Sequence, residues 1–202
     1  MSKVIKLSVV KADMNKKSIS SRRGQFGFTL IELIVVIVIL GILASVALPR
    51  FVNLQREARI AKLQAARGGV LAASALVHAT ALARGGVADA AACPGGGGIA
   101  NNTLAGAGTV CTESGVVNMT NAYPTVTAIG TAGVLSMAGL TGVFNPTALD
   151  LQTEGYTYAV VGTAATFGII GATAPATCFF TYTQSAAASA APVVTGLTIT
   201  GC

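Results

Sequence analysis

The chain opens its folded part with an apolar run: from Phe28 to Leu48, 21 positions carry a single charge, Glu32. As a helix this run is about 31 Å long, close to the roughly 30 Å hydrocarbon core of a bilayer. Beyond Pro49 the pattern turns amphipathic. Phe51, Leu54, Ala58, Ala61, Ala65, Ala72, Leu76 and Ala79 recur at spacings of three, four or seven, with Arg50, Arg56, Glu57, Arg59, Lys62 and Arg67 mostly off that stripe. The spacing predicts that one long helix continues to about Leu82, its small stripe packed under a sheet. Gly68-Gly69 is a weak point, and Arg84-Gly85-Gly86 is the stop signal, a cation in the last turn followed by glycine. Residues 85–110 read as a loop. Val116 to Met119 and Ala122-Tyr123-Pro124 lead into a short second helix carrying Ile129, Val134, Met137 and Leu140, ending before Gly142. Tyr156 to Val161, Thr166 to Ile170, Thr177 to Thr183 and Val193 to Thr200 are rich in β-branched and aromatic residues, predicting an antiparallel sheet of about four strands. The fold class is α+β, with residues 50–202 long enough for one domain with its own core.

A carboxylate inside an apolar span is expensive in lipid and is usually functional, so Glu32 is a candidate site residue. Gly41 and Pro49 are breakers: glycine lowers helix propensity, and proline lacks the amide donor and clashes with the carbonyl four residues earlier. The stretch between them is where this helix is expected to bend or unwind; a simple proline kink is the alternative. The formal charge of +6 is concentrated at the start, where residues 1–27 hold seven Lys or Arg against Asp13 and the remainder holds six basic against six acidic residues. The basic pI therefore gives no case for nucleic-acid binding. A positive flank before an apolar span stays in the cytoplasm and sends the residues beyond the span across the membrane.

Arg22-Arg23, then Gly27 directly before Phe28-Thr29-Leu30-Ile31-Glu32, then the aliphatic run with Gly41 and Pro49, resembles the class III signal and N-terminal helix of type IV pilins and their secretion-system relatives, the pseudopilins. The resemblance implies a pilin fold, with the apolar half of the helix protruding and the amphipathic half packed on the sheet. It implies that a prepilin peptidase cuts between Gly27 and Phe28 and methylates the Phe28 amine. The expected division is a cleaved basic leader (1–27), a transmembrane and filament-core helix (28–49) and a periplasmic or extracellular head (50–202). Met14 offers an alternative start with a shorter leader. Asn121-Ala122-Tyr123-Pro124-Thr125, followed by a small-residue helix, and Gly201-Cys202 resemble pilins of the mannose-sensitive haemagglutinin class.

Little else carries chemistry. His78 is the sole histidine, and Gly95 to Gly98 lack the Lys-Ser or Lys-Thr of a phosphate loop. Asn101-Asn102-Thr103 and Asn118-Met119-Thr120 fit a glycosylation pattern that a Thr-rich chain produces by chance. Cys93, Cys111, Cys178 and Cys202 fall in the translocated part, where disulfides persist. Of three pairings, Cys93–Cys111 and Cys178–Cys202 are favoured because each joins sequence neighbours. No Cys-x-x-Cys pair supports zinc, Asp150 and Glu154 match no calcium-loop spacing, and neither a cofactor nor a catalytic set is expected. Residues 50–84 are net basic, and every charge after Arg84 is acidic, namely Asp89, Glu113, Asp150 and Glu154. This asymmetry is expected to attract axially stacked copies.

The resemblance implies a subunit that enters the inner membrane as a precursor and then self-assembles into an extracellular filament on a Gram-negative-type surface, for adhesion, attachment or motility. Its partners would be further copies of itself, the prepilin peptidase, an assembly ATPase with its membrane platform, and an outer-membrane secretin. Glu32 would set register by pairing with the Phe28 ammonium of a neighbour. The major pseudopilin of a type II secretion system is the alternative.

Overall fold

The structure, a computed structural model, describes residues 28–202. Gly27, Met14 and the basic leader lie outside the described residues. The chain divides into two units, residues 1–45 and 46–202. In the first, every described residue is exposed. Helix α1 (Leu30–Arg84) is assigned without interruption through Gly41 and Pro49.

Within the second unit the face that α1 buries differs from the expected one. Phe51, Leu54, Ala58, Ala61, Ala65, Ala72, Leu76 and Ala79 are all exposed, whereas Ile60, Leu63, Ala66, Val70, Ala73, Ser74, Val77 and Ala81 are buried. The two stripes are offset by about one residue, some 100° around the axis. Volume decides between them: burying a branched side chain stabilises by roughly 1.5–3 kcal/mol, and Ile60, Leu63, Val70 and Val77 stand on one face where the other offers mostly alanine.

Two antiparallel sheets cover that face. β4 (Tyr156–Val161), β5 (Ala164–Ile169), β6 (Phe179–Thr183) and β7 (Val193–Val194) follow one another in order, in register Tyr156 with Ile169 and Phe167 with Phe180. Val193–Thr200 is therefore a strand only at its start, continued by an isolated bridge from Thr198 to Phe179. The second sheet falls where the sequence pattern pointed to loop and helix: β1 (Ala107–Thr112), β2 (Gly115–Thr120) and β3 (Tyr123–Pro124). The short helix shrinks to one turn, α2 (Val134–Met137), and α3 (Ala148–Thr153) adds another. α3 starts with a reciprocal cap, Thr147 Oγ1 accepting from the Asp150 amide and Asp150 Oδ2 accepting from Thr147.

Ile60, Leu63, Ala66 and Val70 share a core with Phe167, Phe180 and Tyr182 of the four-stranded sheet, and Val77 and Ala81 one with Val110, Val117 and Met119 of the three-stranded sheet. Tyrosine hydroxyls fasten the first core to the chain around β3: Tyr182 donates to the Pro124 carbonyl at 2.7 Å and Tyr158 to the Thr127 carbonyl at 2.8 Å. Burial raises both phenols, Tyr158 to about 12. Disulfides join Cys93 to Cys111 and Cys178 to Cys202. The first closes the glycine loop against the β1–β2 hairpin, where Gly97 has φ +90 and a Cβ would stand 2.8 Å from the Val116 Cβ. The positive φ and the close approach of the Val116 side chain account for the glycine there.

Candidate assembly interface

Thr29 precedes α1 and caps it. Its hydroxyl accepts from the Glu32 amide at 3.3 Å, and Glu32 Oε2 accepts from both the amide and the hydroxyl of Thr29 at 2.9 Å. The sequence Thr-Leu-Ile-Glu is thus a capping box, a signal visible in the sequence that a reading centred on the charge of Glu32 alone passes over. The carboxylate has a local function before any second copy arrives: it satisfies free donors at the helix start and faces the positive end of the helix dipole. Phe28, which is 92% exposed, is the residue just before this cap.

From Leu30 to Leu48 the large aliphatic side chains are all exposed, several by more than half. This one helix is long and apolar enough to cross a membrane. Ser45 Oγ donates to the Ile42 carbonyl at 2.7 Å. Pro49, having no amide hydrogen, leaves the Ser45 carbonyl without its usual helical donor. Gly41 has open space around it. The structure thus brings Thr29 to Glu32, and leaves Gly41 and Pro49 in regular helix two turns apart.

The cations of the stem have partners that no spacing rule announces. Arg56 donates to the Ile199 carbonyl (3.3 Å), Arg59 to the Cys202 main-chain oxygen (2.8 Å) and Arg67 to the Thr195 carbonyl (2.9 Å). Lys62 donates to the Glu154 carbonyl and lies 4.6 Å from the centroid of the Tyr156 ring. Arg84 pairs with Asp89, whose carboxyl is held below its usual range by the Asn102 amide first and by Arg84 second. Thr147 lowers Asp150 in the same way. Three of the six stem cations, Arg56, Arg59 and Arg67, therefore hold down the chain from Thr195 to Cys202.

His78 stacks on Tyr123 (centroids 4.0 Å apart, planes 2° apart), with Nδ1 3.2 Å from the Ala122 carbonyl. It is a packing residue. Among the described residues no three His, Cys, Asp or Glu side chains gather as metal ligands would.

An apolar helix opened by a capping carboxylate, joined to an α+β head, defines a class of protein that inserts or packs through its N-terminus. The family model described as the prokaryotic N-terminal methylation motif matches residues 22–48. Residues 22–48 thus carry the N-terminal methylation motif found in the type IV pilin superfamily. It is similar to the type IV narrow pilus major component PilA5 of Thermus thermophilus, 52% identical over 50 residues, which are 25% of this chain and 43% of that relative. The match thus spans less than half of the relative's length. No solved structure matches the chain. The likeness to haemagglutinin-class pilins rests on Asn121 to Thr125 and Gly201-Cys202, which the family model does not reach.

Proposed function

We propose that the chain is a structural subunit of a type IV pilus, cut between Gly27 and Phe28, methylated on Phe28 and assembled through residues 28–49 into a helical filament with the head outside. The observation that carries this is the fully exposed apolar helix bearing the methylation motif and one capped carboxylate. Such a surface is stable in lipid; in water it costs about 25 cal/mol per Å², so on leaving the bilayer it needs other apolar helices. A bundle of identical copies supplies them.

Inside that bundle Glu32 has a second partner, the Phe28 ammonium of a neighbour. At 4 Å and an effective dielectric near 20 the pair attracts by about 4 kcal/mol before desolvation is subtracted. Its role is register: a misaligned copy leaves a bare charge among apolar helices. Between Gly41 and Pro49 the helix unwinds in the packed filament, where neighbouring copies satisfy the freed carbonyls. Surface attachment or motility is the use of the fibre, reached through the inner membrane, a prepilin peptidase, an assembly ATPase with its platform and a secretin.

Sheared surface filaments test this. Mass spectrometry should find the chain beginning at Phe28 and carrying one added methyl, with Cys93 linked to Cys111 and Cys178 to Cys202. Glu32→Ala should insert in the membrane at normal levels and be absent from filaments. Recovery of chains starting before Phe28, or normal assembly of Glu32→Ala, would contradict the reading. A density map with unbroken helix from Phe28 through Phe51 would remove the unwinding.

A further inference from the structure

Arg50 stands apart from the other cations of the second unit. Arg56, Arg59, Lys62, Arg67 and Arg84 each donate to a carbonyl or a carboxylate, whereas Arg50 has no such partner among the described residues. It is exposed and flanked by Phe51, Val52 and Leu54, themselves 63%, 66% and 63% exposed. The opposite arrangement occurs at the other end of the head. A groove of about 710 Å³ is lined by Leu76, Met137 and Pro94, with Glu113 and Arg84 also lining it. Arg84 is neutralised by Asp89, so the uncompensated charge at the groove is the Glu113 carboxylate, which has no partner among the described residues. One surface is an apolar turn with a spare cation; the other is an apolar groove with a spare anion.

Resting on the filament reading above, we propose that the groove beside Leu76 receives the Arg50-to-Leu54 turn of a second copy, with Arg50 paired to Glu113. One chain cannot make this contact with itself. Thirty residues of α1 separate Arg50 from Thr80, another residue of the groove, a rise of about 45 Å. A copy shifted by about that distance along the helix axis brings the two together. The contact is head-to-tail, so repeating the same shift extends a fibre without closing it. Glu154 is the competing carboxylate, but Lys62 already donates to its carbonyl, and a second cation there meets a like charge.

Charge exchange tests the pairing in cells carrying the full chain. Arg50→Glu puts like charges at the joint, as does Glu113→Arg, and each should lower sheared filament yield by roughly tenfold with precursor levels unchanged, like-charge contact at an interface being strongly unfavourable. The double exchange Arg50→Glu with Glu113→Arg should return yield to near wild type. Single variants that assemble normally, or a double variant no better than the worse single, would overturn the pairing while wild-type filaments keep the filament reading intact. A wild-type chain that yields no filament overturns that reading itself. The exchange also guards against misfolding, since a variant that cannot fold is not rescued by a second charge reversal.

Discussion

At single residues the head is held together by polar side chains that reach main-chain atoms far away in sequence. Tyr158 and Tyr182 are the clearest case, each hydroxyl donating to a carbonyl in the stretch from Pro124 to Thr127. Burial raises both phenols, Tyr158 from 10 to about 12. Below pH 10 both are neutral folded or unfolded, so the pH has no hold on them. Between pH 10 and 12 the unfolded chain loses protons that the folded chain keeps, and stability falls as pH rises. The melting temperature of the detergent-solubilised chain should therefore be level up to about pH 10 and drop above it, and Tyr158→Phe should make the drop shallower. A variant with the same alkaline slope as wild type would mean that Tyr158 does not titrate differently on folding. These contacts are not legible in the sequence, because a carbonyl acceptor has no side-chain signature. The caps Thr29 to Glu32 and Thr147 to Asp150 are legible in principle, being three residues apart.

Among elements, legibility followed how strongly one period stood out. The apolar half of α1 is visible from its length alone, and β4, β5 and β6 from their aromatic and β-branched residues. β2 alternates Gly115, Val117 and Met119 inward with Val116, Asn118 and Thr120 half-exposed, a pattern too mixed to announce a strand without its partners. The amphipathic half of α1 shows a different failure: both faces are apolar, so periodicity found the helix and chose the wrong side of it. Leu63 and Leu76 separate the two faces experimentally. Leu63 is fully buried and Leu76 is 57% exposed. Leu63→Ala should destabilise the solubilised chain by about 2–5 kcal/mol, while Leu76→Ala should stay within roughly 0.5 kcal/mol. Chemical denaturation with a two-state fit distinguishes them, and a larger loss for Leu76→Ala than for Leu63→Ala would mean that the sequence-based stripe is the buried one after all. Leu76→Ala should show its effect in filament yield instead, as a wall of the groove.

For the molecule as a whole, the cores and the apolar surface divide along the chain. The buried hydrophobic residues run from Ile60 to Cys202, and residues 28–46 contribute none. Both disulfides, the tyrosine bonds and the clasp on residues 195–202 also lie wholly beyond Pro49. The buried residues and these bonds thus all lie outside the 21-residue apolar run. A chain lacking residues 1–49 should accordingly fold as a water-soluble monomer, still bridged at both disulfides. Its remaining stretch of α1 begins ten residues before Ile60, enough helix to keep that first core residue away from a frayed end. Sedimentation would check the mass and circular dichroism the melting, which should lie within a few degrees of the full chain in detergent. A truncated chain that aggregates or melts without cooperativity would show that the apolar helix supports the head's folding as well as its delivery, and would move Phe28 to Leu48 from a purely intermolecular role into the stability of the subunit itself.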